Sequence, residues 1–151
     1  MSKSEYADVP HASSVTLLLR VTTGGIFIAH ALFKVVVLTM PGTEAFFIQQ
    51  GFPAWTAYPV FAAELVGGVA LVLGLYTRAA SLALVPVLLG AFTVHWPNGW
   101  YFGAPNGGWE YIAVLLGNVV ALAMLGDGRF ALGTTLAQRS LTAGFGKRYR
   151  S

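Results

Sequence analysis

The sequence predicts an all-α integral membrane protein, a four-helix bundle with both termini on the cytoplasmic side. Three observations predict it. First, the 151 residues are 56% hydrophobic and only 10% charged, against about 25% charged in soluble domains, and the mean hydropathy is +0.66. Such a chain lacks the polar surface to face water on all sides. Second, four apolar runs approach the ~20 residues needed to cross a hydrocarbon core. Third, the basic residues gather at the ends of these runs, as membrane topology requires, instead of forming a nucleic-acid-binding face.

The segments follow in order. A polar head, residues 1–13, precedes a membrane domain over residues 14–126, and a basic tail fills residues 127–151. Within the domain the helices are expected over about 14–39, 53–75, 79–95 and 109–125. The first run is too long for a signal-peptide core, and no small-residue cleavage site follows it. The third contains Pro86, which a membrane helix tolerates because neighbouring groups re-satisfy the freed carbonyl. Lys3, Arg20, Arg78 and the five Lys and Arg residues of the tail mark one side. The loops Pro41–Phe52 and Pro97–Gly108 hold no Lys or Arg and are expected outside. The short Tyr76-Thr77-Arg78 link makes the second and third helices antiparallel neighbours. Trp55, Tyr58, Trp96, Trp100, Tyr101 and Trp109 suit an outer interfacial belt. Small residues at helical spacing (Ala63, Gly67, Ala70 and Gly74, with Gly24, Gly25 and Ala29 on the first helix) suit close helix approach. In the tail, Leu132, Leu136 and Phe145 lie among Arg129, Arg139, Lys147, Arg148 and Arg150, a composition for an anionic membrane face or for a disordered basic segment.

The chemistry concentrates on a few polar groups. Glu64 is the only ionisable residue apart from two tyrosines between Phe52 and Tyr76. An unpaired charge at mid-membrane costs several kcal/mol, so the carboxylate has to be neutral, paired or beside a wet cavity. His30 and Lys34 share one helix face by their i,i+4 spacing. Both fall in the expected outer half of the first helix, where either can pair with Glu64. Glu64, His30 and Lys34 are therefore the catalytic candidates, for proton handling or ligand binding, and a helix-pinning ion pair is the competing role. His95, Trp100, Glu110 and Asn118 are the substrate-binding candidates. The first three stand around the aromatic loop at the bundle mouth, a setting for a flat amphipathic ligand such as a quinone ring or simply an interfacial belt. Asn118 lies midway down the fourth helix. With no cysteine in the chain, disulfides, thiolate metal sites, iron–sulfur clusters and dithiol relays are excluded within it. No haem, nucleotide or other cofactor motif is evident, and no metal is expected.

At these residues the chain resembles the DoxX family. The likeness covers about Leu17 to Arg129. It rests on Arg20, Ala29-His30-Ala31-Leu32-Phe33-Lys34, Ala63-Glu64-Leu65-Val66-Gly67-Gly68, Gly74-Leu75-Tyr76-Thr77-Arg78 and His95-Trp96-Pro97-Asn98-Gly99-Trp100. Ala31 stands where the family often has glycine. The resemblance implies a multi-pass protein of the bacterial inner membrane, related to the small subunit of thiosulfate:quinone oxidoreductase, with a quinone as possible cofactor. The expected partners are the bilayer, a partner redox enzyme or a second copy of the chain, and no nucleic acid. Two functional readings follow. One is a redox-associated subunit, a possible oxidoreductase component, whose outer-half polar pocket takes a quinone or small substrate. The other is a non-catalytic scaffold or anchor whose buried charges only pin the helices.

Overall fold

Why the apolar runs become helices is set by the solvent: hydrocarbon cannot satisfy backbone N–H and C=O groups, so each crossing segment must bond within itself. A computed structural model describes residues 10–128 and 130–134, with the side chains of 10–13 left aside. The regular secondary structure of the described residues is all helical, with no strand. The elements are α1 (Pro10–Leu32), α2 (Met40–Gln49), α3 (Ala57–Leu73), α4 (Thr77–His95) and α5 (Glu110–Leu125). Counting their helical extensions, Ser14–Val37, Ala54–Leu73 and Thr77–Asn98 are long and apolar enough to cross a membrane. Glu110–Leu125 is apolar but only 16 residues long. The first nine residues, Arg129 and the basic tail beyond Thr134 lie outside the described residues.

α1, α3, α4 and α5 form a ring in that order, with α5 closing back on α1 along its least extensive seam. The end holding the Gly74–Arg78 link is termed the turn end, and that holding the 96–109 loop the loop end. Phe27, Leu71, Leu84, Leu88, Ile112, Leu115, Val119 and Leu122 fill the centre. The outside is equally apolar: Val36, Val66, Leu18 and Met124 are each more than 60% exposed. In water such a surface would aggregate; against lipid tails it costs nothing.

Because lipid removes the hydrophobic drive between helices, close backbone approach has to hold them. α1 and α3 meet at Gly24 and Gly68. A Cβ on Gly24 would lie 2.6 Å from the Gly68 carbonyl oxygen, and one on Gly68 would lie 2.8 Å from that of Gly24. The small-residue stripe expected on α3 is thus used differently from its sequence pattern. A Cβ on Gly67 would lie 3.1 Å from the Leu84 side chain of α4, and Gly25 faces open space. Gly68, one position off the stripe, makes the α1 crossing.

Two features departed from the sequence expectation. The first helix does not run on to Thr39 as a regular α-helix. It widens into a π-helical turn over Phe33–Val37, closed by Leu38 N–H donating to the Phe33 carbonyl at 3.1 Å. The chain then turns at Thr39, φ 64°, whose hydroxyl accepts from Gly42 N–H, and starts α2 with Pro41 in its first turn. The Pro41–Phe52 loop is therefore itself mostly helix. Pro41 supplies a fixed φ at a position that needs no N–H, which is why a proline-glycine pair starts this helix.

Candidate functional site

Depth and helix face bring Lys34 and Glu64 together. Glu64, about two turns into α3, is buried at 5% exposure. The Lys34 ammonium donates to both of its carboxylate oxygens, at 2.6 Å to Oε2 and 2.9 Å to Oε1. Of the two pairings open to Glu64 in the sequence, this is the one made. Two desolvated charges at this separation cancel one another, and the two-point contact fixes their orientation.

Lys34 reaches Glu64 from within the π-turn. A π-turn adds a residue to the helical repeat and shifts the side chains that follow, and such turns gather at functional sites. The Lys34 carbonyl, released from regular helical bonding, accepts from the Thr43 hydroxyl at 2.9 Å, and that hydroxyl also reaches the Thr39 carbonyl at 3.0 Å. Thr43 is 1% exposed. α2 thus clamps the backbone of the lysine it follows.

His30 lies one turn below Lys34 on α1 and is exposed at the α1–α5 seam. Its Nδ1 is 2.9 Å from the Ile26 carbonyl. A carbonyl can only accept, so Nδ1 carries a proton and Nε2 is left as the outward-facing ring nitrogen. The ring stacks on Tyr111 of α5, centroids 6.1 Å apart and planes 24° apart, and Tyr111 in turn meets Phe102 at 6.1 Å. The imidazole is within electrostatic range of the Glu64 carboxylate. His30, Lys34, Glu64 and Tyr111 therefore make one polar and aromatic cluster toward the loop end.

The four substrate-binding candidates are placed elsewhere. His95 Nδ1 donates to the Gly107 carbonyl at 3.0 Å, beside Asn98 Nδ2, which donates to the same carbonyl at 2.8 Å. Glu110 Oε2 accepts from the Phe102 N–H at 3.2 Å. Trp100 stands edge-on to Trp109, centroids 4.5 Å apart, and Trp109 stacks on Trp96 at 5.2 Å. Each contact folds the 96–109 loop onto itself and onto the head of α5. Asn118 is partly buried on the same face of α5 as Tyr111, two turns nearer the turn end. Among the described residues no group of three His, Asp or Glu lies close enough to hold a metal ion.

Sequence reasoning missed three participants. Tyr111 directly follows the singled-out Glu110, but a tyrosine at a helix start carries no signal beyond an interfacial anchor. Thr43 acts through a backbone bond that only the turn at Thr39 creates. Asp127, assigned to the tail, instead closes the turn end: its Oδ1 accepts from the Thr77 N–H at 2.7 Å, and its carbonyl accepts from Arg20. The Gly126-Asp127-Gly128 tripeptide, with both glycines at positive φ, was the available turn signal.

Comparison with known proteins agrees with this architecture. The DoxX family signature matches residues 15–96. A Bacillus subtilis (strain 168) protein described as "Putative oxidoreductase CatD" is 38% identical over 117 residues, which span 78% of this chain and 83% of that protein. No solved structure matches. The matched region holds Arg20, His30, Lys34, Glu64 and His95, and the chain belongs to the DoxX family of membrane proteins.

Proposed function

We propose that the chain is a redox-associated membrane subunit that binds a quinone or a comparably small amphipathic substrate at the His30–Lys34–Glu64–Tyr111 cluster. The observation that carries this is the Lys34–Glu64 pair, in which a buried carboxylate is doubly hydrogen-bonded by a part-buried ammonium, beside an imidazole whose other ring nitrogen is unengaged. Quinone reduction takes up protons with electrons. A carboxylate, an ammonium and an imidazole in one cluster can relay those protons, while the His30 and Tyr111 rings offer a flat face. The chain has no electron carrier of its own in this reading, so electrons come from a partner enzyme or a bound cofactor. The description of the Bacillus subtilis relative as an oxidoreductase supports the same class of chemistry. The charge pattern supports a cell-membrane (inner-membrane) location with both termini cytoplasmic and the loop end outside.

A second reading is favoured by one observation: both Glu64 oxygens are already engaged by Lys34. A closed pair of this kind also serves to pin α1 to α3 in a scaffold or anchor subunit. Glu64→Gln separates the two. It keeps the shape and a neutral acceptor for the Lys34 ammonium, and the unfolding midpoint of the purified variant is measured beside its activity. In the redox reading, quinone-dependent oxidoreductase activity of membranes containing the variant falls at least tenfold. Unchanged activity with normal assembly supports the scaffold.

A further inference from the structure

At the turn end of the bundle axis four polar atoms are fully buried and have no hydrogen-bond partner among the described residues: Arg20 Nε, Thr23 Oγ1, Thr77 Oγ1 and Ser81 Oγ. Their residues are at most 1% exposed. In the interior of a membrane protein an unsatisfied polar group is costly, and each one calls for an explanation. Helical hydroxyls ordinarily avoid the cost by donating to a carbonyl three or four residues back. Thr22, Thr56 and Thr93 do so, at 2.8, 2.6 and 2.7 Å. Thr23, Thr77 and Ser81 do not.

The helix registers place the four atoms at neighbouring depths. Gly24 packs on Leu71 of α3, so Thr23 lies at the level of Leu71. Gly67 packs on Leu84, so Ser81, three residues earlier on the antiparallel α4, lies near the level of Ala70. Thr77 is one turn from Ser81 on the same face of α4, and Arg20 one turn from Thr23 on α1. Asp127 ties the lower two together, since it accepts from both Arg20 and Thr77 N–H.

We propose that this layer is an internal hydration site, in which a small group of water molecules bridges Arg20 Nε to the hydroxyls of Thr23, Thr77 and Ser81. Water fits the donor set. Hydroxyls both donate and accept, the guanidinium N–H donates, and a buried water needs two to four such partners. An anion fits less well, because the Arg20 guanidinium already donates to the Asp127 and Phe130 carbonyls and has the Asp127 carboxylate within electrostatic range. The waters complete the solvation of a guanidinium that α1 carries into the bundle interior, and they join α1 to α4 across the axis.

Thr23→Val and Ser81→Ala, alone and together in the full chain, test this by thermal unfolding in detergent, since both substitutions keep the side-chain shape and delete only the hydroxyl. Shared waters make each single substitution lower the unfolding midpoint by a few degrees, and the double variant loses no more than the worse single. Radiolytic hydroxyl labelling adds a direct readout: Leu71, fully buried at this level, is oxidised in the parent and protected in the double variant. The proposal is overturned if either substitution raises the midpoint and the two effects add, which is the behaviour of unsolvated hydroxyls. It is equally overturned if inorganic sulfate raises the parent's midpoint but not the double variant's, which marks an anion site. Neither outcome bears on the Glu64 cluster, which lies toward the loop end.

Discussion

The two ends of the bundle each take a cation out of solvent, wholly for Arg20 and in part for Lys34, and they hold it in different ways. Lys34 meets its counter-charge head-on, in a side-chain contact with Glu64. Arg20 is held by backbone carbonyls, those of Asp127 and Phe130, while the Asp127 carboxylate turns to the start of α4. The first arrangement concentrates the stabilisation in one pair whose partners are useless apart. The second spreads it over a knot of α1, the Gly74–Thr77 turn and the segment after α5. The guanidinium suits the knot because its planar fork offers several donors, and the ammonium suits the pair because it is a compact point charge. A concentrated pair is lost whole when either partner is removed. A distributed knot cannot be opened without unfolding the end of the bundle.

Substitutions can break this contrast, beginning with the pair. Glu64→Leu alone leaves the Lys34 charge buried without a partner and is expected to cost about 3–5 kcal/mol, measured as denaturant or thermal unfolding in detergent. Adding Lys34→Met should recover most of that loss, since a buried pair replaced as a unit by apolar side chains is often nearly neutral. If the double variant is as unstable as the single, the pair is not the concentrated unit described. At the knot, Asp127→Ala removes one charged acceptor but leaves both carbonyls to hold Arg20. The expected loss is smaller, about 2 kcal/mol, and a loss equal to that of Glu64→Leu would erase the distinction between the two ends. The smallest effect is expected from Thr43→Val, which deletes the hydroxyl that clamps the Lys34 carbonyl. About 1 kcal/mol of stability should go, and if the proposed redox role holds, quinone-dependent activity should respond more than the unfolding midpoint, because the change lies in how Lys34 is aimed.

Much of this architecture was legible in the residue order. The helices, the antiparallel α3–α4 link and the need for Glu64 to find company all follow from apolar run length and from the cost of charge in hydrocarbon. The i,i+4 spacing of His30 and Lys34 put both within reach of Glu64. Which of them takes the carboxylate was not legible, because the π-turn that carries Lys34 has no marker in Phe33-Lys34-Val35-Val36-Val37. His95 and Glu110 looked like a binding-site mouth because their residue types suit one. The structure sets their polar atoms against a loop carbonyl and a loop N–H, contacts that depend on how the 96–109 loop closes. Asp127 looked like the start of a tail because only three-dimensional packing brings the residues after α5 back against Arg20.

The sequence alone determined the environment and the liabilities: an all-helical membrane protein of the DoxX family with a carboxylate that could not stay alone. Those conclusions need only local quantities, run length, charge position and helical spacing. The tertiary structure decided the pairings: Lys34 with Glu64, Gly24 against Gly68, Asp127 with Arg20 and Thr77, and three hydroxyls and a guanidinium turned toward one buried level. Each pairing joins helices distant in the chain. Its geometry depends on packing registers fixed by glycine contacts and by one widened turn, which no single segment encodes.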